Sequence, residues 1–594
     1  MVEFLTQNFV PILFVGLLAF LLMGFPVAFS LAATGLAFGF LGMEIGLIPS
    51  NLFQALPLRV FGIMQNDTLL AIPFFTLMGI ILERSGMAED LLETVAQVFG
   101  PVRGGLAVAV ILVGALLAAT TGVVAAAVIS MGLISLPIML RYGYNRTIAT
   151  GTITASGTLA QAIPPSLVLI VLADQLGRSV GDMYAGAMLP GVMLVGLYLL
   201  FVVGVVLVRP SWVPALPKEA RIYVEPNGSS GHMSLAILLA ICAVAGVLWS
   251  QVHDQAWRFL TGRETEAPVD EMVIMSITAG SFLALGLAVV NHILKLGLLS
   301  RLAERVTFVL IPPLVLIFLV LGTIFLGFAT PTEGGAMGAL GALVMAGARK
   351  RLTGTVLLQA LENTTKLAIF VLFILIGSTV FSFTFNAADG HIWVEHLFAK
   401  LPGGQIGFLI VVNLLVFVLG MFIDFFEIAF IVIPMLAPVA EKMGIDLVWF
   451  GVLVAMNMQT SFLTPPFGFA LFYLRSVAAR SDYTDEVTGK RIPAVTTGQI
   501  YKGAVAFIVL QLIMVTVILF DPSIVTGGIE NKVKLDDAAV LDQLEALPDV
   551  DYGDADDPFA APDEPGADLE APSVESEDDP MKALQDAIQE EKQQ

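Results

Sequence analysis

The residues best suited to chemistry in this chain are polar groups set inside long apolar runs. Asp424 lies within the largely aromatic run 422–426, and Glu427 follows three residues later. An ionisable side chain in such surroundings is costly to bury and marks a candidate functional position by default. Glu427 is expected to share the helix face of Asp424, because residues three apart are neighbours on a helix.

Two polar segments, 156–166 and 457–466, each contain a Pro-Pro pair. Proline removes an amide donor and clashes with the preceding turn, so carbonyls upstream lose their helical partners. In lipid those carbonyls need another partner. A sodium ion, a hard cation that prefers oxygen ligands, could be that partner together with side-chain oxygens. The candidate ion or substrate ligands in these segments are Ser156, Gly157, Thr158, Pro164, Pro165, Asn457, Gln459, Thr460, Ser461, Thr464 and Pro465.

A further break is predicted at Thr120, Thr121 and Gly122, between two short apolar arms. Half-helix N-termini at such breaks could donate amides to an anion. Each polar residue also has a structural alternative: Ser and Thr hydroxyls often bond to their own helix, and a Pro-Pro pair is often only a kink. Glu333, two residues after Pro331, could cap its helix or contact a substrate. The five histidines show no metal-binding spacing.

Composition places the chain in a membrane. It has 594 residues, of which 57% are hydrophobic and 13% charged, with a mean hydropathy of +0.88, against about 25% charged in soluble domains. The segment 530–594 holds 21 acidic and 4 basic residues of a chain with net charge −21. No basic face is left for nucleic acid. The single cysteine excludes an intramolecular disulfide and a Cys-based metal centre.

The apolar runs lack ten-residue alternation, so they predict helices rather than barrel strands. Ala88–Phe99 and His391–Leu401 are amphipathic and are expected to lie at the membrane interface. The predicted spans or half-spans are 8–22, 25–41, 67–82, 104–118, 122–140, 148–172, 186–208, 233–250, 272–294, 306–326, 331–347, 366–385, 405–422, 425–440, 447–474 and 503–520.

Ordered matches at an offset of 305 and then 301 residues indicate an internal repeat, for example Pro164-Pro165 with Pro465-Pro466. The predicted regions are a first repeat at 1–208 (hairpin 104–140, broken helix 148–172), a linker with two extra spans at 209–305, a second repeat at 306–520 (hairpin 405–440, broken helix 447–474), and an acidic tail at 521–594. Placing the basic loop 349–351 in the cytoplasm predicts inverted topology and leaves both termini outside. Low hydrophobicity and high charge predict that the tail is disordered from 530 to about 580, and 581–594 could form a short helix. The tail is either a dispensable solvated segment or an acidic arm that binds a partner's basic surface.

Six motifs in order carry a resemblance to a known family: 24–28, 72–75 before Gly79, 163–166, 330–333, 419–424 and 463–468. They resemble the large membrane subunit of tripartite ATP-independent periplasmic (TRAP) transporters, the DctM type. The resemblance implies an all-α polytopic fold of two inverted repeats with re-entrant hairpins and broken helices, of the elevator type. It implies a sodium-driven importer of organic acid anions in the bacterial inner membrane, with a small four-helix membrane subunit and a periplasmic substrate-binding protein as partners. Carried over, the ion-coordinating tips fall on 120–122 and Asp424; the two extra spans and the acidic tail depart from the basic family pattern.

Three other interpretations stay open at this stage. A stand-alone sodium/carboxylate symporter would need no binding protein. A polytopic membrane enzyme would use Asp424 and Glu427 as an acid/base or metal pair, but no nucleophile, histidine partner or phosphate loop accompanies them. An ABC permease would expose a cytoplasmic coupling helix, and inverted repeats argue against it. A transporter rather than an enzyme, with no cofactor other than the coupling ion, is therefore the prediction, and its substrate is not predicted.

Overall fold

The structure, a computed structural model, describes residues 2–49, 51–223, 225, 230–261, 269–325, 327–399, 401–485, 487–527 and 529. The predicted helix over 581–594 and most of the acidic tail lie outside these residues. The first part of the chain forms helices α1 (Val2–Gln7), α2 (Phe9–Leu22), α3 (Val27–Glu44), α4 (Leu56–Met64), α5 (Ala71–Arg84), α6 (Met87–Phe99), α7 (Gly105–Thr121), α8 (Val124–Arg141), α9 (Arg146–Thr158), α10 (Leu167–Gln175) and α11 (Val180–Val208).

Two long helices, α12 (His232–Thr261) and α13 (Val269–Leu294), form the middle of the chain. The remaining elements are α14 (Arg301–Phe325), α15 (Pro331–Ala348), α16 (Gly354–Ala387), α17 (Gly390–Ala399), α18 (Gly404–Leu419), α19 (Phe425–Glu427), α20 (Ile433–Lys442), α21 (Leu447–Phe462), α22 (Phe469–Val477), strands β1 (Tyr483–Thr484) and β2 (Arg491–Ile492), α23 (Thr497–Phe520) and α24 (Ser523–Thr526). Short 3₁₀ turns cover Leu52–Ala55, Asp67–Leu70, Leu159–Gln161, Pro210–Trp212 and Lys218–Ala220, and a π-helical turn covers Ile428–Val432.

The chain is an all-α polytopic membrane protein, as the sequence predicts. Within the described residues, eight helices are long and apolar enough to cross a membrane, or nine if the bent pair Phe53–Met64 and Asp67–Arg84 forms one span. The only described strands, β1 and β2, pair antiparallel in one short ribbon in the loop before α23. Every residue of α21 is buried, and α9 is buried from Ile148 onward, so the core lies around these two helices.

The order of elements recurs along the chain. A short helix (α6 or α17) precedes a helical hairpin, α7 with α8 in the first half and α18 with α19 and α20 in the second, and the interfacial location of both short helices stays a prediction. A broken helix follows, α9 with α10 or α21 with α22, and a long helix ends each series, α11 or α23. Both breaks contain a cis Pro-Pro bond, Pro164-Pro165 and Pro465-Pro466. Inversion of one repeat relative to the other stays a prediction.

The structure differs most from the predicted spans in two places. The predicted span 366–385 is only the second part of α16, which runs for 34 residues, because the polar residues before 366 remain helical with Thr353 as N-cap. The 3₁₀ turn and helix over 52–64 were not predicted as a span, and they meet α5 at a bend of 46°. Asn66 lies at this bend, where its side chain accepts a hydrogen bond from Thr68 N.

The two halves interlock through small residues. Helix α3 packs along α16, α5 along α15, and α9 along α23. A Cβ atom on Gly35 would lie 2.8 Å from Val380 O, and one on Gly503 would lie 2.8 Å from Gly151 N. Glycine at these positions therefore allows the backbones to approach, as at interfaces between membrane helices.

Candidate functional site

The first tip, residues 120–123, joins the two arms of the first hairpin. Gly122 ends α7 in a left-handed conformation (φ +58°) that favours glycine, and its amide donates to Ala118 O at 3.1 Å. A Cβ atom on Gly122 would lie 3.3 Å from the backbone nitrogen of Leu167, the first residue of α10. The first tip therefore contacts the N-terminus of the second arm of the first broken helix. The side chains of Thr120 and Thr121 lie outside the described part of the structure.

The second tip, residues 420–424, joins α18 to α19 in the second hairpin. Asp424 is half-buried and caps α19, with its Oδ1 accepting from Phe425 N at 2.7 Å. Glu427 completes a capping box, because its Oε2 accepts from Asp424 N at 3.1 Å. Sequence reasoning placed these carboxylates on one helix face and did not consider the cap. The structure thus gives both a structural role, while the remaining lone pairs of Asp424 stay available to a cation.

The first break, residues 162–166, follows α9 and its 3₁₀ turn. Ser156 and Thr158 are fully buried and donate to carbonyls of their own helix, Ser156 Oγ to Thr152 O at 2.6 Å and Thr158 Oγ1 to Ala155 O at 2.9 Å. Gly157 packs so closely on Val128 of the first hairpin that a Cβ atom would overlap it. Beyond Pro164 and Pro165, α10 restarts with Ser166 as N-cap.

The second break, residues 463–468, follows α21 in the same way. Asn457 reaches across to the second hairpin and donates to Asn413 O, while Thr460, Ser461 and Thr464 donate to their own helix at 3.2, 2.7 and 2.8 Å. Pro465 and Pro466 interrupt the helix, and Tyr501 Oη donates to Pro466 O at 3.0 Å. The structural alternative for the hydroxyls is thus observed in both breaks. A hydroxyl that donates to a carbonyl keeps lone pairs for a cation.

Each hairpin tip meets the broken helix of its own half. The first tip contacts Leu167 beside the first break. At the second tip, a Cβ atom on Gly420 would overlap Ser461 Oγ, and the rings of Phe422 and Phe467 lie 5.2 Å apart. The structure therefore brings the predicted site residues together as two pairs of tip and break, with Gly122 in the first and Asp424 in the second.

A group of buried hydrogen bonds joins the two broken helices, and it includes residues that the sequence did not identify as candidates. Gln459 Nε2 lies 3.4 Å from Thr158 Oγ1 and 3.5 Å from Tyr198 Oη, and Gln511 Nε2 lies 2.7 Å from the same tyrosine oxygen. Tyr198 and Gln511 come from α11 and α23 and were not among the predicted ligands. A lone Gln within the apolar run 503–520 is the signal that could have identified Gln511.

Glu333 is held away from these contacts in a capping box of its own. Its Oε2 accepts from Thr330 N at 2.8 Å and from Thr330 Oγ1 at 3.1 Å at the start of α15. The helix-cap alternative is therefore observed, and a substrate role stays a prediction. Among the described residues, no three His, Cys, Asp or Glu side chains are grouped to hold a metal ion. A cation at either tip would depend on carbonyl, hydroxyl and amide oxygens and on Asp424.

Comparisons with known proteins show which family the sequence matches. A sequence model of the family described as tripartite ATP-independent periplasmic transporter, DctM component, matches residues 14–524. The C4-dicarboxylate TRAP transporter large permease protein DctM of Pseudomonas aeruginosa is 27% identical over 483 residues, covering 81% of this chain and 91% of that protein. The sialic acid TRAP transporter large permease protein SiaM of Vibrio cholerae is 25% identical over 463 residues, covering 78% and 88%. Among solved structures, the Alcanivorax borkumensis YdaH transporter matches with a TM-score of 0.45 and 15% identity, over 81% of this chain and 89% of that chain.

Proposed function

The chain belongs to the family of DctM components of tripartite ATP-independent periplasmic transporters, and from this premise we propose that it is the sodium-coupled membrane subunit that imports organic acid anions. The members of this family are transporter permeases. The observation that carries the finer proposal is the pairing of each hairpin tip with the break of its own broken helix. Both pairs combine interrupted backbone with buried hydroxyl side chains, Ser156 and Thr158 in the first half and Thr460 and Ser461 in the second.

Sodium suits these pairs for a physical reason. The proline nitrogens at the two breaks carry no hydrogen to donate, and in a membrane the backbone carbonyls upstream of them need other partners. Hydroxyl and amide oxygens of Ser156, Asn457, Thr460 and Ser461 supply further acceptors, whereas Thr158 Oγ1 already donates to Ala155 O and accepts from Gln459 and Gln511. Asp424 adds a negative charge at the second tip. A hard monovalent cation bound there would contact these oxygens and would offset this charge.

An organic acid anion suits the same region because helices begin there. The amides at the start of α10 face the first tip, where Gly122 approaches Leu167 N. A helix N-terminus carries roughly half a positive charge and favours a carboxylate. Sodium and anion bound near each other would stabilise one another, which is a direct route to coupled transport. Relatives whose printed names specify C4-dicarboxylate and sialic acid support a carboxylate substrate.

The partners follow from the tripartite family. We infer a small four-helix membrane subunit and a periplasmic substrate-binding protein that delivers the anion, in the bacterial inner membrane. An elevator movement of the hairpins and broken helices past α5 and α16 would carry the anion across. The basic loop 349–351 would lie in the cytoplasm.

The test is uptake by the chain reconstituted with its small subunit in liposomes. Radioactive C4-dicarboxylates and sialic acid are offered with and without the binding protein of the same system, under an inward sodium gradient or under a proton gradient in sodium-free buffer. We expect uptake only with sodium and only with the binding protein. Uptake of free substrate without the binding protein would favour a stand-alone symporter, and full uptake in sodium-free buffer would reject sodium coupling.

A further inference from the structure

Four buried polar side chains meet between the two broken helices. Thr158 of α9, Gln459 of α21, Tyr198 of α11 and Gln511 of α23 are each at most 1% exposed. Both glutamine Nε2 atoms donate to the same two hydroxyl oxygens, over 2.7–3.5 Å. The side-chain hydrogen bonds of this cluster thus tie together one helix pair from each half of the chain.

The position of the cluster follows from the repeat. Thr158 and Gln459 are separated by 301 residues, the offset that relates Pro164-Pro165 to Pro465-Pro466. A residue that contacts its own repeat mate lies close to the approximate symmetry axis that exchanges the two halves. Thr158 is the last residue of α9, and Gln459 lies in the last turn of α21, so the cluster is close to where both helices approach their breaks.

Burying such a cluster is costly, which argues that it does something that apolar packing cannot. The Oε1 atoms of Gln459 and Gln511 have no hydrogen-bond partner among the described residues, and an unsatisfied buried acceptor destabilises the fold. Leucine or methionine would pack there without that penalty. Buried polar networks restrict neighbouring elements to one arrangement, because each donor must reach its acceptor.

We propose that Tyr198 and Gln511 are positioning residues that hold the two broken helices in one fixed relation and so couple the two cation sites. This inference rests on the proposed function. Sodium bound at one site orders the break beside that site. Because the cluster holds the two broken helices together, the other break becomes ordered as well, and sodium binds there at a lower entropic cost. Sodium binding is therefore cooperative, and the cooperativity depends on the tyrosine hydroxyl and the glutamine amide.

The experiment measures sodium binding by the purified full-length chain in nanodiscs by equilibrium binding of radioactive sodium at constant ionic strength in choline chloride, and it records the unfolding temperature of each variant with and without sodium. Tyr198→Phe removes one hydroxyl and keeps the ring, which packs edge-on to Phe507 at 5.1 Å. Tyr184→Phe is the matched control, because the Tyr184 hydroxyl lies on the same helix, is buried and has no partner among the described residues. Gln511→Leu is the second variant, and Thr516→Val its control on the exposed side of α23.

We expect the wild type and both controls to bind sodium with a Hill coefficient above 1. In Tyr198→Phe and in Gln511→Leu the coefficient falls toward 1, and the half-saturating sodium concentration rises by roughly three- to tenfold. The double variant is no worse than the more affected single variant, because both changes break the same network.

Unchanged cooperativity in a folded Tyr198→Phe protein would overturn the positioning role. An equal fall in unfolding temperature with and without sodium, at an unchanged half-saturating concentration, would also overturn it, because the cluster would then serve packing alone. A wild type whose unfolding temperature responds equally to sodium and choline would instead reject the proposed sodium site itself, and the positioning role with it.

Discussion

The two hairpin tips follow one plan and differ in charge. The first tip turns at Gly122 in a segment, 118–123, with no ionisable residue, whereas the second turns at Asp424, which caps α19. Each lies against the break of its own broken helix. A cation at the first tip would be bound by neutral oxygens, and one at the second would also face a carboxylate. The second site should therefore bind sodium more tightly and fill first.

The largest expected effect comes from removing that charge. Asp424→Asn keeps a good N-cap, so the protein should remain folded, but the half-saturating sodium concentration for uptake should rise at least about tenfold, equivalent to about 1.4 kcal/mol. Asp424→Ala should show the same loss and should also lower stability by about 0.5–2 kcal/mol, because the cap is lost. Sodium titration of uptake and thermal unfolding separate the two effects. Wild-type sodium dependence in Asp424→Asn would reject the difference between the sites.

The close packing of hairpins on broken helices predicts the next effect. Gly157→Ala and Gly420→Ala each place a methyl group where Val128 or Ser461 already lies. Such overpacking should lower the unfolding free energy by about 1–3 kcal/mol, and it should reduce uptake by a similar factor in both variants. Gly196→Ala is the control, because a Cβ atom there meets nothing within 4 Å. Equal stability of all three variants would show that the hairpins do not pack closely against the broken helices.

A smaller effect is expected at the bend that only the first half has. Asn66 accepts from Thr68 N and donates to Asp174 Oδ1 at 2.7 Å, whereas the corresponding stretch of the second half continues as α16. Asn66→Ala should lower the unfolding free energy by about 1–2 kcal/mol, because a cap and a hydrogen bond to a carboxylate are lost. Asn66→Asp is the comparison variant: it can still cap but places a second carboxylate beside Asp174. Thermal unfolding that is the same in Asn66→Ala and the wild type would show that the bend does not need this residue.

The smallest effect concerns the β1–β2 loop, which has no counterpart in the four-residue connection between α10 and α11. Burial raises the pKa of Asp485, but hydrogen bonds from Thr488 and from Arg141, whose Nε lies 2.8 Å away, lower it more, so the net shift is downward. The pKa is thus lower in the folded chain than the unfolded value of about 3.9. The stabilisation is complete above that value and is lost as the pH falls through the folded pKa. Asp485→Asn should remove this acid dependence of the unfolding temperature below about pH 4, and an unchanged profile would contradict the assignment.

The sequence predicts much of the fold because its strongest signals are local. Apolar length predicts the spans, and the Pro-Pro pairs within polar segments predict both breaks. The Pro312-Pro313 pair, which lies in an apolar run, leaves α14 continuous. The bend at Asn66 and the extension of α16 to residue 354 were not predicted. Polar residues in a sequence favour a helix end, but tertiary contacts that the sequence does not reveal can keep such a segment helical.

The site is less predictable because its contacts are distant in sequence. Ser156, Thr158, Asn457 and Asp424 stand out as polar residues near predicted breaks, so sequence alone is enough to propose them as candidates. Tyr198 and Gln511 lie inside ordinary apolar spans and acquire meaning only when α11 and α23 bring them to Thr158. The cap at Asp424 was also missed, since a two-residue interruption between aromatic residues does not reveal where a helix begins.

The most direct test of the central claim is a count of sodium ions bound per chain. Equilibrium binding of radioactive sodium to the purified chain in nanodiscs should reveal two ions bound per chain at saturation, and in Asp424→Asn the half-saturating sodium concentration should rise at least about tenfold. Binding curves that superimpose for the wild type and Asp424→Asn, or a single ion bound per chain at saturation in the folded wild type, would contradict the assignment of one cation site to each hairpin tip.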